Sequence, residues 1–178
     1  MRQIIRTALA VVAAVQASAA WSQATAQSSG KPASAGGQGA TIQACSVLTP
    51  AEFKQITGRT DLLGRGPEAA DPSELPKGLS ECEYMGITTS LADNVTHEKF
   101  ESSRKSLVQS ATKVELISGI GDEAFLYEGT GRSYRQLGIM LRVGERRLGF
   151  LDMVSPDSVD AVKPVLLALA KAAAPKLR

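Results

Sequence analysis

Alternating apolar and polar positions predict most of the strands in this chain. In residues 134–143, for example, Leu137, Ile139 and Leu141 fall on one face of an extended segment. The segment Gly144-Glu145-Arg146 that follows is typical of a hairpin turn into another strand. The predicted strands cover residues 80–91, 124–127, 134–143 and 147–154.

The clearest local prediction is a short helix that begins after Leu48. Thr49 suits its N-cap, Pro50 its first position, and Glu52 the reciprocal bond back to Thr49. Gly58 can end this helix in a left-handed conformation.

Apolar residues at steps of three and four predict two further helices. One covers about residues 95–111 and carries Phe100 on its apolar stripe. The last begins at a cap, Ser155, and ends at Pro175. Because Pro164 lies inside it, we expect that helix to be kinked or split.

A glycine-containing turn lies between two apolar runs near the middle of the domain. Gly119 and Gly121 allow backbone angles that other residues resist, and Asp122 follows them directly. We interpret this segment as a structural corner between central strands. The functional alternative is a ligand-binding turn in which Asp122 and Glu123 act as a carboxylate pair.

The order of these elements is helix, strand, helix, strands, helix. It predicts one α+β domain with a mainly antiparallel sheet and helices packed on one face. We place this domain at residues 44–178, after a Gly, Ser and Ala-rich linker at residues 27–43 that cannot bury enough apolar surface to fold.

Residues 1–26 have the composition of a secretory signal peptide. Two arginines precede a short apolar run, and that run is well below the ~20 residues needed to span a membrane. We expect cleavage between Ala26 and Gln27, with the small residues 17–19 as an alternative site. Because no cysteine follows the apolar run, we expect no lipid anchor and a periplasmic or secreted product.

Charge argues against nucleic-acid binding. The chain has 20 Lys and Arg against 18 Asp and Glu, and both excess positive charges, Arg2 and Arg6, lie in the leader. The remainder is therefore neutral and lacks the basic surface that phosphate contacts require.

Cys45 and Cys82 are the only cysteines, and export favours a structural disulfide between them. A redox-active pair is the alternative, although catalytic pairs usually lie two residues apart. Both cysteines together with the single histidine, His97, would still lack a fourth metal ligand, so we expect neither a metal nor a cofactor.

Few other residues suggest chemistry. Asp152 lies in an apolar strand and is either a functional acid with a raised pKa or the partner of an arginine such as Arg142. We interpret His97 as exposed surface, since no partner acid or nucleophile is evident. The charged, proline-rich residues 59–78 favour a solvated loop over an acidic recognition loop.

Several landmarks together resemble a family of small exported bacterial domains of unknown function, common among secreted lipoproteins of actinobacteria. They are residues 45–52 (CSVLTPAE), 82–84 (CEY), 119–125 (GIGDEAF) and 169–171 (LAK). The resemblance covers about residues 44–174 and implies a disulfide-bonded α+β domain outside the cytoplasm. It supplies no catalytic residue, and this chain lacks the lipid-acceptor cysteine of the lipoproteins.

The sequence identifies no reaction and no ligand. We expect a monomeric, non-catalytic binding or interaction module whose partner is an envelope protein or a small ligand. One alternative is a small hydrolase-like enzyme that uses Asp152, Asp122, Glu123 or His97. The other is a structural accessory protein of the envelope.

Overall fold

The computed structural model of the chain describes residues 42–61, 64–130, 134–154 and 158–178. The expected signal peptide, its cleavage site, most of the expected linker and the Ser155 cap lie outside these ranges. In the described residues, seven strands form one antiparallel sheet in the order β1-β2-β3-β7-β6-β5-β4. The strands are β1 Glu68–Ala69, β2 Leu79–Tyr84, β3 Ile87–Ala92, β4 Lys113–Ile117, β5 Glu123–Thr130, β6 Arg135–Val143 and β7 Arg146–Val154.

Four α-helices accompany the sheet in the described part of the chain. They are α1 Ala44–Val47, α2 Pro50–Thr57, α3 His97–Ser110 and α4 Val159–Ala173. The predicted α+β class with an antiparallel sheet is therefore confirmed. None of the helices in the described ranges is both long and apolar enough to cross a membrane.

The capping sequence of α2 forms the predicted structure. The Thr49 side chain accepts a hydrogen bond from the backbone of Glu52, and a Glu52 carboxylate oxygen accepts one from the backbone of Thr49 at 2.9 Å. Gly58 ends the helix at φ 65°. Local chemistry alone specifies this helix, because both capping partners lie within four residues.

The last helix is continuous. Although Pro164 lies inside it, α4 is one helix from Val159 to Ala173, so of the two predicted outcomes the split is wrong and the kink stays a prediction. Leu166 and Leu169 are completely buried against the sheet, and burial of this apolar face offsets the backbone hydrogen bond that proline removes.

The predicted strand at residues 80–91 is in fact a hairpin. Met85 and Gly86 have φ of 52° and 79° and separate β2 from β3. Positive φ at both central residues is the geometry of a two-residue hairpin turn. The apolar alternation continues through Met85 and Ile87, and this continuity hid the turn in the sequence.

Helices cover both faces of the sheet, whereas the sequence suggested one. Leu126 belongs to the core that includes residues of α1, α2 and α4. Phe125 and Tyr127, which point to the opposite face, pack with Phe100 of α3. The expectation of helices on one face was therefore wrong for α3.

The predicted disulfide is present between Cys45 and Cys82, with 5.1 Å between their Cα atoms. It joins α1 to β2, and Cys82 is buried with a 4% exposed surface. The bridge anchors the first helical segment on the same face of the sheet as α4.

Candidate functional site

The glycine turn between β4 and β5 is bonded to the neighbouring β6–β7 hairpin. Gly119 and Gly121 have φ of 78° and 62°. The backbone N–H of Asp122 donates to the carbonyl of Arg142 at 2.8 Å, and its carboxylate accepts from the backbone N–H of Gly144 at 2.8 Å. These bonds give Asp122 a role in holding two turns together.

Glu123, the second carboxylate of that turn, contacts two basic side chains. It accepts a hydrogen bond from Nε of Arg142 at 2.6 Å, and its other oxygen lies 2.9 Å from Nδ1 of His97. The His97 side chain is 60% exposed, as expected, but its acidic partner was missed because the two residues lie 26 positions apart. The hydrogen bond to Glu123 and the charge of that carboxylate raise the pKa of His97.

The structure places Asp152 in the core and pairs it with Arg59. The Asp152 side chain is only 4% exposed. The expected pairing with an arginine is therefore confirmed, but the arginine is Arg59 and not the suggested Arg142, which bonds to Glu123. Arg59 follows Gly58 directly, and it also donates a hydrogen bond from Nη1 to the carbonyl of Met85 at 2.8 Å.

A cleft of about 650 Å³ lies beside this ion pair, and we name it the Arg59 cleft. Its walls come from residues 59–61 and 65–66, from the start of β1 and from the β2–β3 hairpin. A second cavity of about 530 Å³ shares Arg59, Glu83 and Gly86 with it and extends to Asp152. The side chain of Arg59 thus lies between two adjoining cavities.

Charged residues line the Arg59 cleft in unequal numbers. Asp61, Glu68 and Glu83 contribute carboxylates, while Arg59 and Arg65 contribute guanidinium groups. Because Arg59 is paired with Asp152, the carboxylates are in excess. Part of the segment expected to be a solvated loop, residues 59–61, 65–66 and 68, therefore lines this cleft.

The described ranges were also compared with the side-chain groupings that bind metal ions. They contain no group of three or more His, Cys, Asp or Glu arranged to hold a metal ion. Both described cysteines are in the disulfide, so neither is a free thiol.

Comparisons with known proteins give one structural likeness. No protein-family model and no curated protein matches the chain. The fold is similar to the solution structure of cyanobacterial PsbP (CyanoP) from Synechocystis sp. PCC 6803, with 12% identity and a TM-score of 0.41. The similarity covers 61% of this chain and 81% of that protein, and at this TM-score it assigns neither a function nor a partner.

Proposed function

We propose that this protein is an exported, non-catalytic binding module whose ligand occupies the Arg59 cleft. The observation that carries the proposal is the cleft itself, which is of ligand size and is lined by polar groups and one aromatic ring. An ion pair with one buried partner, Asp152, holds one wall, because Arg59 bonds both to Asp152 and to the hairpin carbonyl of Met85.

The positions of the candidate acids favour binding over catalysis. Asp152 is paired with the Arg59 guanidinium and its side chain is only 4% exposed, so little of it is accessible to a substrate. Asp122 and Glu123 bond to neighbouring turns and strands, and His97 bonds to Glu123. These contacts give each group a structural role.

Export is part of the proposal. Its support is the composition of residues 1–26, the Cys45–Cys82 disulfide, and the resemblance to small exported bacterial domains. Protein recovered from the periplasm or culture medium should begin at Gln27 when its N-terminus is sequenced. Recovery of protein with an intact Met1 from the cytoplasm would contradict export.

A fragment titration tests the binding site. ¹⁵N-labelled protein covering residues 27–178 is mixed with a set of cationic, anionic and neutral fragments, and amide shifts are followed by NMR. We expect at least one fragment class to shift amides of Glu68, Glu83 and Gly86 in a saturable manner. If every class leaves these amides unchanged, the cleft is not a binding site and the proposal is wrong.

A hydrolase screen separates binding from catalysis. Wild type and Asp152→Asn are assayed on ester, amide and glycoside substrates. We expect no turnover by either protein. Turnover by the wild type that Asp152→Asn abolishes would establish the enzymatic alternative.

A further inference from the structure

We propose that the free edge of β4 is a dimerisation surface, on which the same strand of a second copy of this chain pairs in antiparallel orientation. The pairing is centred on Val114 and joins the two sheets into one. The inference is independent of the Arg59 cleft, which lies at the other end of the sheet, beside β1 and the β2–β3 hairpin. It replaces the monomer that the sequence alone suggested.

The first argument is the backbone of β4. This strand of five residues is the last in the sheet order and pairs only with β5 in the described part of the chain. An edge strand presents a row of N–H and C=O groups without partners, and another strand can bond to them. The opposite edge is less suitable, because β1 has two residues and Pro67, directly before it, has no N–H to donate.

The second argument is an exposed apolar side chain on this edge. Leu116 is 69% exposed, the highest value among the large apolar residues that the structure describes. It lies opposite Phe125 and therefore on the same face of the sheet as α3. Val114, two positions earlier on that face, packs against the buried cluster that contains Phe100. The apolar surface of β4 thus continues beyond the part that α3 buries.

The third argument is that β4 is complementary in charge to itself. Lys113 and Glu115 lie on the other face of the sheet, one on each side of Val114 along the strand. In an antiparallel pair centred on Val114, Lys113 of each copy lies opposite Glu115 of the other, so two opposite-charge pairs form. Such pairs stabilise two neighbouring strands, whereas like charges directly opposite each other destabilise them. A pair centred on Glu115 would place the two glutamates opposite each other, so charge favours the Val114 register.

Both charged side chains can accept a second partner. Lys113 is 62% exposed, and it lies 3.8 Å from Oε2 of Glu115 on its own strand. Lys163 of α4 donates to that same Oε2 at 2.7 Å. None of the contacts of Glu115 in the described ranges uses its other oxygen, Oε1. Oε1 can therefore accept a hydrogen bond from Lys113 of the second copy.

The same register also covers apolar surface on the α3 face. Leu116 of each copy lies opposite Thr112 and diagonal to Val114 of the other, and long side chains make contact at both distances. A two-fold axis through Val114 repeats these contacts on both sides, as in most protein dimers. Because β4 has only five residues, we expect a weak, reversible dimer.

The test is sedimentation equilibrium of residues 27–178, the proposed exported form. The protein is studied from about 10 µM to about 1 mM, because small interfaces give weak complexes. We expect a monomer–dimer equilibrium, and we expect Leu116→Lys to raise its Kd about tenfold or more, because apolar contact is lost twice. Met153→Lys is the matched control. Met153 is also an exposed apolar strand residue, but β7 lies three strands from the β4 edge, so the Kd should not change.

A charge exchange tests the register. Lys113→Glu and Glu115→Lys should each raise the Kd about tenfold, because each replaces two opposite-charge pairs by two like-charge pairs. An equimolar mixture of the two variants should associate as tightly as the wild type, because every glutamate then lies opposite a lysine. Circular dichroism shows whether each variant is folded. Recovery in the mixture distinguishes direct pairing from damage to the strand, which mixing would not repair.

Each outcome decides the inference. A wild type that stays monomeric at the highest concentration would overturn it and would leave the β4 edge to another protein or to solvent. A dimer that neither Leu116→Lys nor Lys113→Glu weakens would use another surface, and the inference would again be wrong. If the single charge variants weaken the dimer but their mixture does not recover, the strands do not pair around Val114. None of these results changes the test of the Arg59 cleft.

Discussion

Arg59 and Asp152, which lie 93 positions apart in the sequence, form an ion pair between the end of α2 and the last strand. The carboxylate is 4% exposed and the guanidinium 30%. One partner is thus removed from water, while the other reaches into a cleft. The pair connects the core of the sheet to the proposed ligand site.

Removal of the arginine should destabilise the domain because it leaves Asp152 charged and buried. We expect Arg59→Met to lower the free energy of unfolding by about 2–3 kcal/mol, less than for a fully buried pair because Arg59 is partly exposed. Urea denaturation at pH 7 measures this. Replacing both partners, as in Arg59→Met with Asp152→Leu, should recover most of the loss.

The matched control for this prediction is Arg104→Met. Arg104 pairs with Glu101 within α3, and these side chains are 25% and 26% exposed. We expect that substitution to lower the free energy of unfolding much less than Arg59→Met does, because water screens an exposed pair within one helix. If Arg59→Met and Arg104→Met lower the free energy of unfolding equally, the Arg59–Asp152 ion pair stabilises the domain no more than an exposed pair does.

The disulfide should contribute a large part of the stability. It closes a segment of 37 residue positions that contains α2, β1 and part of the cleft wall. We expect Cys45→Ala and Cys82→Ala each to lower the free energy of unfolding by about 2–5 kcal/mol. The double variant should lose little more than either single one, because only one bond is removed.

Reduction of the wild type gives an independent check of the disulfide. Added reductant should lower its melting temperature to near that of the double variant and leave the double variant unchanged. An unchanged melting temperature of the wild type under full reduction would contradict this role.

The two glycines of the β4–β5 turn should differ in their tolerance of alanine. Both have positive φ, and this conformation alone costs an alanine about 1–2 kcal/mol. A Cβ at Gly119 meets nothing within 4 Å, whereas one at Gly121 would lie 2.6 Å from the carbonyl oxygen of Arg142. We therefore expect Gly121→Ala to lose about 1–3 kcal/mol more than Gly119→Ala in urea denaturation. If both variants lose the same free energy of unfolding, the backbone of Gly121 does not approach the Arg142 carbonyl oxygen this closely.

His97 should titrate above its ordinary pKa of 6.5, because Glu123 hydrogen-bonds the ring and favours its charged form. Glu98 and Glu101 add smaller effects in the same direction. A raised pKa in the folded state means that this contact stabilises the domain fully below pH 6.5, and that the contribution is lost as the pH rises through the folded pKa.

This titration is readily measured, since the chain has one histidine. We expect NMR of the ring protons to give a lower pKa in Glu123→Gln than in the wild type. Glu145→Gln is the control and should leave the pKa of His97 unchanged. A titration curve that Glu123→Gln does not move would show that the contact is absent in solution.

Local chemistry made part of the fold predictable. The capping residues of α2 and the alternating strands β6 and β7 were recognised because their determinants lie within a few neighbouring residues. The Met85–Gly86 turn was missed because a non-glycine residue adopts positive φ within an unbroken apolar alternation. The position of α3 was missed because periodicity identifies the buried stripe of a helix but not the face of the sheet that it covers.

The candidate site was the least predictable part. Arg59 follows a helix-ending glycine, and nothing near it in sequence indicates Asp152 as its partner. Glu68 and Glu83 come together only because the short β1 strand pairs with β2. Residues 59–78 have the composition of a solvated loop, and nothing in that composition indicates that Asp61, Arg65 and Glu68 line a cleft.

The position of β7 has a consequence for the order in which the molecule is completed. This strand comes last in the sequence yet pairs with β3 on one side and β6 on the other. During synthesis the N-terminal part of the chain appears first. The β2–β3 hairpin then has no strand to pair with along β3 until residues 146–154 have been made. Cys45 and Cys82 both precede β7 in the sequence, so the disulfide can form before that strand is available. Until β7 pairs with it, β3 has an open edge of unpaired backbone groups, and such edges are where separate chains pair with one another.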